Sequence, residues 1–200
     1  MRKVGIYSGS FDPVHDGHVA FAIQAANQCG LDKVFFMVEP SPRRKQGVKA
    51  LEHREAMVAL ALKPYKILSQ IILSQDRFTV ELTLPQLLSR FKGAKLYFLM
   101  GDDVFTRLQN WGNINNLVET VEFIVGTRTY NQQKIFNHQK LLNNLTGLNT
   151  RVQLISTTQN KVASRSIRAQ LKTANVTGIS EPVKEYIFRH GLYHSTGMSK

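Results

Sequence analysis

Several things are scarce in this chain, and each scarcity excludes something. With a single cysteine, Cys29, no internal disulfide can form, which fits a reducing compartment. No segment approaches the roughly 20 unbroken apolar residues that a membrane-spanning helix requires. The opening MRKVGIYSGSFDPVHDGH is interrupted by Ser, Gly and Asp almost at once, which does not read as a signal peptide. A cytoplasmic protein without a membrane partner is expected. Internal repeats, low-complexity tracts and linkers are also missing. The 200 residues, 42% hydrophobic and 20% charged, therefore read as one domain over 1–200, with a small C-terminal helical part from about residue 164.

Acidic residues are the other shortage: 14 Asp and Glu stand against 26 Lys and Arg, a formal net charge of +12. That balance favours anionic partners, whether nucleic acid or small phosphates. The basic residues are nevertheless spread along the chain. Arg43, Arg44 and Lys45 form the one dense cluster, and no aromatic–basic interleaving marks a single-strand platform. No specific nucleic acid is expected.

What is present alternates. Lys3–Ser8 reads as a strand entering a Gly-Ser turn, and residues 17–28 as a helix closing before Gly30. Val34–Val38 is a buried-type strand, followed by a loop with Pro40 and Pro42 and a helix over Leu51–Leu62. Ile67–Leu73 suggests one or two short strands, and Thr79–Phe91 an amphipathic helix containing Pro85. Lys95–Met100 and Val121–Val125 are strands separated by short helices. Arg151–Ile155 is the last strand, with helices near Ser166–Lys172 and Glu181–His190. Apolar strands alternating with helices imply a parallel α/β sheet covered on both faces. Such sheets bind ligands beyond the carboxyl ends of their strands. The loops at Gly9–His18, Pro40–Lys45 and Gly101–Asp103, and the region after Ile155, are the places to look.

The first of these loops, GSFDPVHDGH, carries chemistry in its residue types. Gly9 and Ser10 permit close backbone approach, and a helix begins near Gly17, so unpaired amides and the helix dipole favour a phosphate there. His15 and His18, three apart at that start, can serve one pocket and donate hydrogen bonds to a transferring phosphoryl group.

His15-Asp16-Gly17-His18, preceded by Gly9-Ser10-Phe11-Asp12-Pro13, resembles the H-x-G-H motif of the nucleotidyltransferase superfamily. That resemblance implies a Rossmann-like fold, with both histidines on the nucleotide phosphates. Ser164-Arg165-Ser166-Ile167-Arg168 resembles the family's I-S-S-T-x-I-R segment on the β- and γ-phosphates, with Ser164 and Arg168 on matching positions and Arg165 where Thr is usual. Further pieces are similar to the bacterial nicotinate mononucleotide adenylyltransferases. Ser41-Pro42-Arg43-Arg44-Lys45 resembles their P-x-x-K loop, with Lys45 reaching the triphosphate. Phe78-Thr79 resembles their aromatic–Thr pair, although the next threonine, Thr83, comes one residue later than usual. Gly101-Asp102-Asp103, then Trp111 and Ile114, resembles G-x-D followed by W-x-x-I. Arg128 matches a substrate-phosphate arginine, and the ending Pro182–Ile187 with Gly191-Leu192-Tyr193 matches the family's last helix and tail.

The resemblance implies that ATP and nicotinate mononucleotide are joined to give deamido-NAD and pyrophosphate. His15, His18, Lys45 and Arg168 would be the catalytic residues. Gly9, Ser10, Phe11, Gly101, Asp103 and Ser164 would join His15, His18 and Arg168 in binding ATP; Thr79, Trp111 and Arg128 would bind the nicotinate nucleotide. Mg²⁺ would be held mainly by the ATP phosphates, with no protein-built metal site, since Asp102 and Asp103 are adjacent and have no third acid nearby. Alternatives stay open. The acceptor could be nicotinamide mononucleotide or phosphopantetheine, the donor could be CTP, or the protein could be a non-catalytic basic nucleotide- or RNA-binding protein. A homo-oligomer is equally open.

Overall fold

The computed structural model describes residues 1–42, 47–72, 75, 77–127, 132–157, 163–171 and 175–193. Lys45, Arg128 and Lys172 lie outside the described residues. In chain order the elements are β1 (Lys3–Gly9), α1 (Asp16–Cys29), β2 (Lys33–Val38), α2 (Leu51–Leu62), β3 (Leu68–Ile71) and α3 (Val80–Arg90). Then come β4 (Lys95–Gly101), α4 (Asp102–Phe105), α5 (Ile114–Thr120), β5 (Glu122–Thr127), α6 (Gln132–Thr146), β6 (Val152–Ser156), α7 (Ser164–Gln170) and α8 (Glu181–Arg189).

Six strands pair in the order β3-β2-β1-β4-β5-β6, every pairing parallel. This is the expected Rossmann-like α/β sheet. Strand side chains alternate between its faces. Tyr97, Leu99 and Ile124 point into one apolar cluster with residues of α1, α2, α7 and α8. Their neighbours Leu96, Phe98, Met100, Phe123 and Val125 point into a second cluster with residues of α3, α5 and α6. Helices thus cover both faces. No helix among the described residues is long and apolar enough to cross a membrane.

Local chemistry accounts for the boundaries. Gly30 caps α1 in the left-handed conformation (φ 64°) that glycine adopts without penalty, its N–H on Ala26 O. Pro85 sits inside α3, where the hydrogen bond its nitrogen cannot make is the one to Glu81 O. Only one strand, β3, occupies the described part of 67–73. One element had no sequence expectation: the 15-residue α6. Its sequence, QQKIFNHQKLLNNLT, is largely polar and buries only Ile135 and Leu142. Two residues seven apart make too thin a stripe to announce a helix from periodicity.

The chain leaves β1 toward β2 and β3 on one side, then returns across the sheet to β4 on the other. The carboxyl ends of the adjacent strands β1 and β4 therefore form the switch point where a parallel sheet opens a crevice.

Candidate active site

Two half-sites meet at that crevice. The first is built on the loop from Gly9 into α1. His15 is the N-cap of α1, in extended backbone (φ −145°, ψ 167°), and is buried. Its N–H donates to Nδ1 of His18 at 3.2 Å, and the two imidazoles stack with centroids 3.5 Å apart and planes at 24°. An accepting Nδ1 puts the proton of a neutral His18 on Nε2, so the pairing selects the tautomer that can donate to an anion. Phe11 buttresses the His18 ring edge-on at 5.1 Å. Phe11 itself is buried at positive φ (44°), so its backbone rather than its ring is the part a ligand can meet. Gly9 makes room for it, because a Cβ there would come within 3.0 Å of the Phe11 ring. Asp16, in the first turn of α1, has its carboxyl pushed up by burial.

The C-terminal segment comes back to this loop. Ser164 Oγ donates to Pro13 O at 3.0 Å, and Arg168 Nη1 donates to Asp12 O and lies 3.7 Å from Asp12 Oδ2. Residues more than 150 apart in sequence thus become neighbours of the histidine pair. The Ser164 hydroxyl proton is engaged by Pro13, which leaves its lone pairs, not its donor, for another group. Arg165 is exposed.

The second half-site is a cavity of about 480 Å³ lined by Ser8 and Gly9 at the end of β1 and Ser10 just after it, Glu39 and Pro42 after β2, Phe78–Glu81 at the start of α3, and Asp103, Arg107 and Trp111 after β4. Thr79 is the N-cap of α3. Its Oγ1 accepts from the Leu82 amide at 3.3 Å, while Thr83 Oγ1 accepts the Thr79 amide at 3.2 Å. The late threonine thus closes the helix start from one turn inside. Helix geometry leaves the amides of Val80 and Glu81 without intrahelical acceptors, and both residues line the cavity. Trp111 is half-buried: it packs on Phe78, centroids 5.5 Å apart, and also walls the cavity. Gly101 caps α4, and a Cβ there would meet Asp103 Oδ1 at 2.7 Å, so the glycine lets the Asp103 carboxylate fold back over the turn. Asp103 lines the same cavity as Thr79 and Trp111, with Arg107 Nη2 3.9 Å from its Oδ2. Among the described residues no three His, Cys, Asp or Glu side chains cluster to hold a metal ion.

Three residues that the sequence did not assign organise both halves. Arg54 is 1% exposed. Its Nε donates to Lys49 O at 2.7 Å, Nη1 to Ser10 O at 3.0 Å and Glu39 O at 2.7 Å, and Nη2 to Pro40 O at 2.8 Å. Burial pushes this guanidinium down from its ordinary value, opposed by the fields of Asp12, Tyr193, Glu55 and Glu39. A signal for it existed: Arg54, Met57, Val58, Ala61 and Leu62 share the buried stripe of α2, and a cation in a core stripe implies buried acceptors. Asp12 is buried in the Gly9–His18 loop, and Tyr193 in the Gly191-Leu192-Tyr193 tail, their side chains joined by a hydrogen bond. Nothing in the sequence alone pairs them.

A family model described as cytidylyltransferase-like matches residues 6–170. A probable nicotinate-nucleotide adenylyltransferase from Neisseria gonorrhoeae is 32% identical over 201 residues, covering 96% of this chain and 99% of that protein. The nicotinate-nucleotide adenylyltransferase of Bacillus subtilis is 28% identical over 98% of this chain and all of its own length. The Plasmodium falciparum nicotinic acid mononucleotide adenylyltransferase complexed with NaAD superposes with a TM-score of 0.76 at 19% identity, over 96% of this chain and 98% of that one.

Proposed function

Because the chain belongs to the cytidylyltransferase-like family, we propose that it is an enzyme that transfers the adenylyl group of ATP to nicotinate mononucleotide. The products are deamido-NAD and pyrophosphate, a step in making NAD. The observation that carries the reading is the joining of the Ser164–Arg168 segment to the Asp12–Pro13 loop beside the stacked His15–His18 pair, next to a cavity bounded by Thr79 and Trp111.

The acceptor's phosphate oxygen attacks the α-phosphorus of ATP. A P–O bond forms as the bond from the α-phosphorus to the bridging oxygen breaks, and pyrophosphate leaves with that oxygen. A phosphate monoester is nucleophilic at neutral pH, so the protein contributes positioning and charge neutralisation. His18, donating from Nε2, and His15 serve the α- and β-phosphates. Arg168 and Lys45 serve the β- and γ-phosphates, with Ser164 beside them. Gly9, Ser10 and the Phe11 backbone line the path between the nucleotides. Magnesium would be held mainly by the ATP phosphates and would add charge neutralisation there, since such an ion keeps its waters and needs few protein ligands. Thr79, Trp111 and Arg128 hold the acceptor, and the location of Asp103 in the Thr79–Trp111 cavity supports a contact near the acceptor as well as the adenosine. The lone, buried Cys29 fits a cytoplasmic setting.

The test is pyrophosphate release from ATP and Mg²⁺ with a panel of phosphate-bearing acceptors. Nicotinate mononucleotide should exceed nicotinamide mononucleotide about ten- to a hundredfold in kcat/KM. The Val80 and Glu81 amides favour a carboxylate; the Arg107 cation is offset by Asp103 beside it, and the Glu39 and Glu81 side chains that share the lining oppose an anion through solvent. Equal values for the two nucleotides overturn the ring placement; turnover only with CTP overturns the donor.

A further inference from the structure

Arg168 does not meet the first loop alone. Asp12, whose side chain is 7% exposed, divides its two carboxylate oxygens between different partners. Oδ1 accepts the Tyr193 hydroxyl at 2.6 Å and the Lys49 amide at 3.3 Å. Oδ2 faces Arg168 Nη1 at 3.7 Å, and the same nitrogen donates to the Asp12 carbonyl. Tyr193 reaches Asp12 across 181 residues of sequence. The tyrosine is buried, at positive φ (65°), with the Leu192 amide on Ile187 O and Lys49 Nζ 5.5 Å over its ring. A non-glycine residue is held in that conformation only when its surroundings over-determine it.

We propose that Tyr193 and Asp12 are a positioning pair that sets the Arg168 guanidinium for the triphosphate of the donor nucleotide, an inference that rests on the adenylyl-transfer reading. A carboxylate and a guanidinium left to themselves favour a two-pronged pair, which would turn the arginine inward and neutralise it. The Tyr193 hydroxyl and the Lys49 amide occupy Oδ1 and prevent that. Both contacts of Arg168 to Asp12 then use Nη1, and among the described residues Nη2 and Nε are left for an anionic ligand. Burial and the hydrogen bond to Asp12 push the Tyr193 hydroxyl far above its ordinary value, so it stays a donor across the working pH range. Arg54 adds a second cation to the field around Asp12 without taking its oxygens, since its hydrogen bonds go to four main-chain carbonyls.

The experiment is Tyr193→Phe in the full chain, which keeps the buried ring and deletes one hydroxyl. KM for ATP should rise about tenfold, while kcat and KM for the acceptor change by less than about twofold. In an Arg168→Ala background the same substitution should change KM for ATP less than about twofold, because the group it positions is gone. Asp12→Asn, which keeps the shape and one carbonyl acceptor, should reproduce the ATP-side effect. A rise shared equally by both substrates, or the same rise with and without Arg168, overturns the proposal and leaves Tyr193 a packing residue. Calorimetric binding of a non-hydrolysable ATP analogue separates this from the broader reading. If the wild type releases no pyrophosphate with any acceptor, the adenylyl-transfer reading fails. Analogue binding about tenfold weaker in Tyr193→Phe would still support the positioning role, and unchanged binding would overturn it.

Discussion

Replacing Arg54 with Ala should unsettle the fold and both half-sites together, and the structure sets the size of the effect. The guanidinium makes hydrogen bonds to the carbonyls of Lys49, Ser10, Glu39 and Pro40, three of them at 2.7–2.8 Å and one at 3.0 Å. An orphaned buried acceptor is worth about 1–3 kcal/mol. Ser10 and Glu39 adjoin the cavity, where water can enter and recover part of that loss. The net is about 3–6 kcal/mol, comparable to breaking a buried charge pair. At about 2–4 °C per kcal/mol for a chain of this length, Tm should fall by roughly 10–20 °C. Because the carbonyls belong to the loops after β1 and β2, KM should rise for both substrates. Arg54→Lys keeps the charge but not the planar fork, and should recover about half of the loss in Tm. Circular dichroism melting and two-substrate kinetics measure both effects. A fall in Tm below about 3 °C for Arg54→Ala, with unchanged KM values, would refute the account of Arg54 as the tie between these loops.

Other perturbations separate chemistry from packing. His18→Ala should lower kcat by about a hundredfold or more with the far-ultraviolet spectrum unchanged; near-normal turnover would remove His18 from catalysis. Gly126→Ala would put a Cβ 2.9 Å from the Phe21 ring, which is itself packed edge-on against Tyr7 at 5.4 Å. Urea denaturation should show a loss of about 1–3 kcal/mol, and no loss would mean that the helix–sheet approach has slack. Glu122 is pushed up by burial but pulled down further by Lys95 at 2.6 Å and Arg151 at 3.2 Å, leaving its carboxyl below the ordinary 4.5. Its contribution is therefore present above that pH and lost as pH falls through the lowered value. The melting advantage of wild type over Glu122→Gln should be seen at pH 7 and close in acid; a gap that widens in acid would reverse the sign.

How much of this was legible beforehand depended on the range of the interaction. The apolar runs of β1, β4 and β5, the glycine stop of α1, the span of α2 and the GSFDPVHDGH loop are local. Each is written in residues within a turn or two of one another, and local sterics and periodicity decide them. The sequence by itself thus determined the covered parallel sheet and the histidine pair at a helix start. Helix α6 escaped because two buried residues make too faint a period. Thr83 looked out of register because spacing along the chain does not say which hydroxyl reaches back to a helix's first amide. Only the tertiary structure decided that Arg54 ties loops from two strands, that Asp103 shares a cavity with Thr79 and Trp111, and that Tyr193 and Arg168 divide the oxygens of Asp12. The reason is geometric. A buried hydrogen bond depends on a fit of a few tenths of an ångström between segments brought together by sheet crossovers, and no periodicity along the chain encodes that approach.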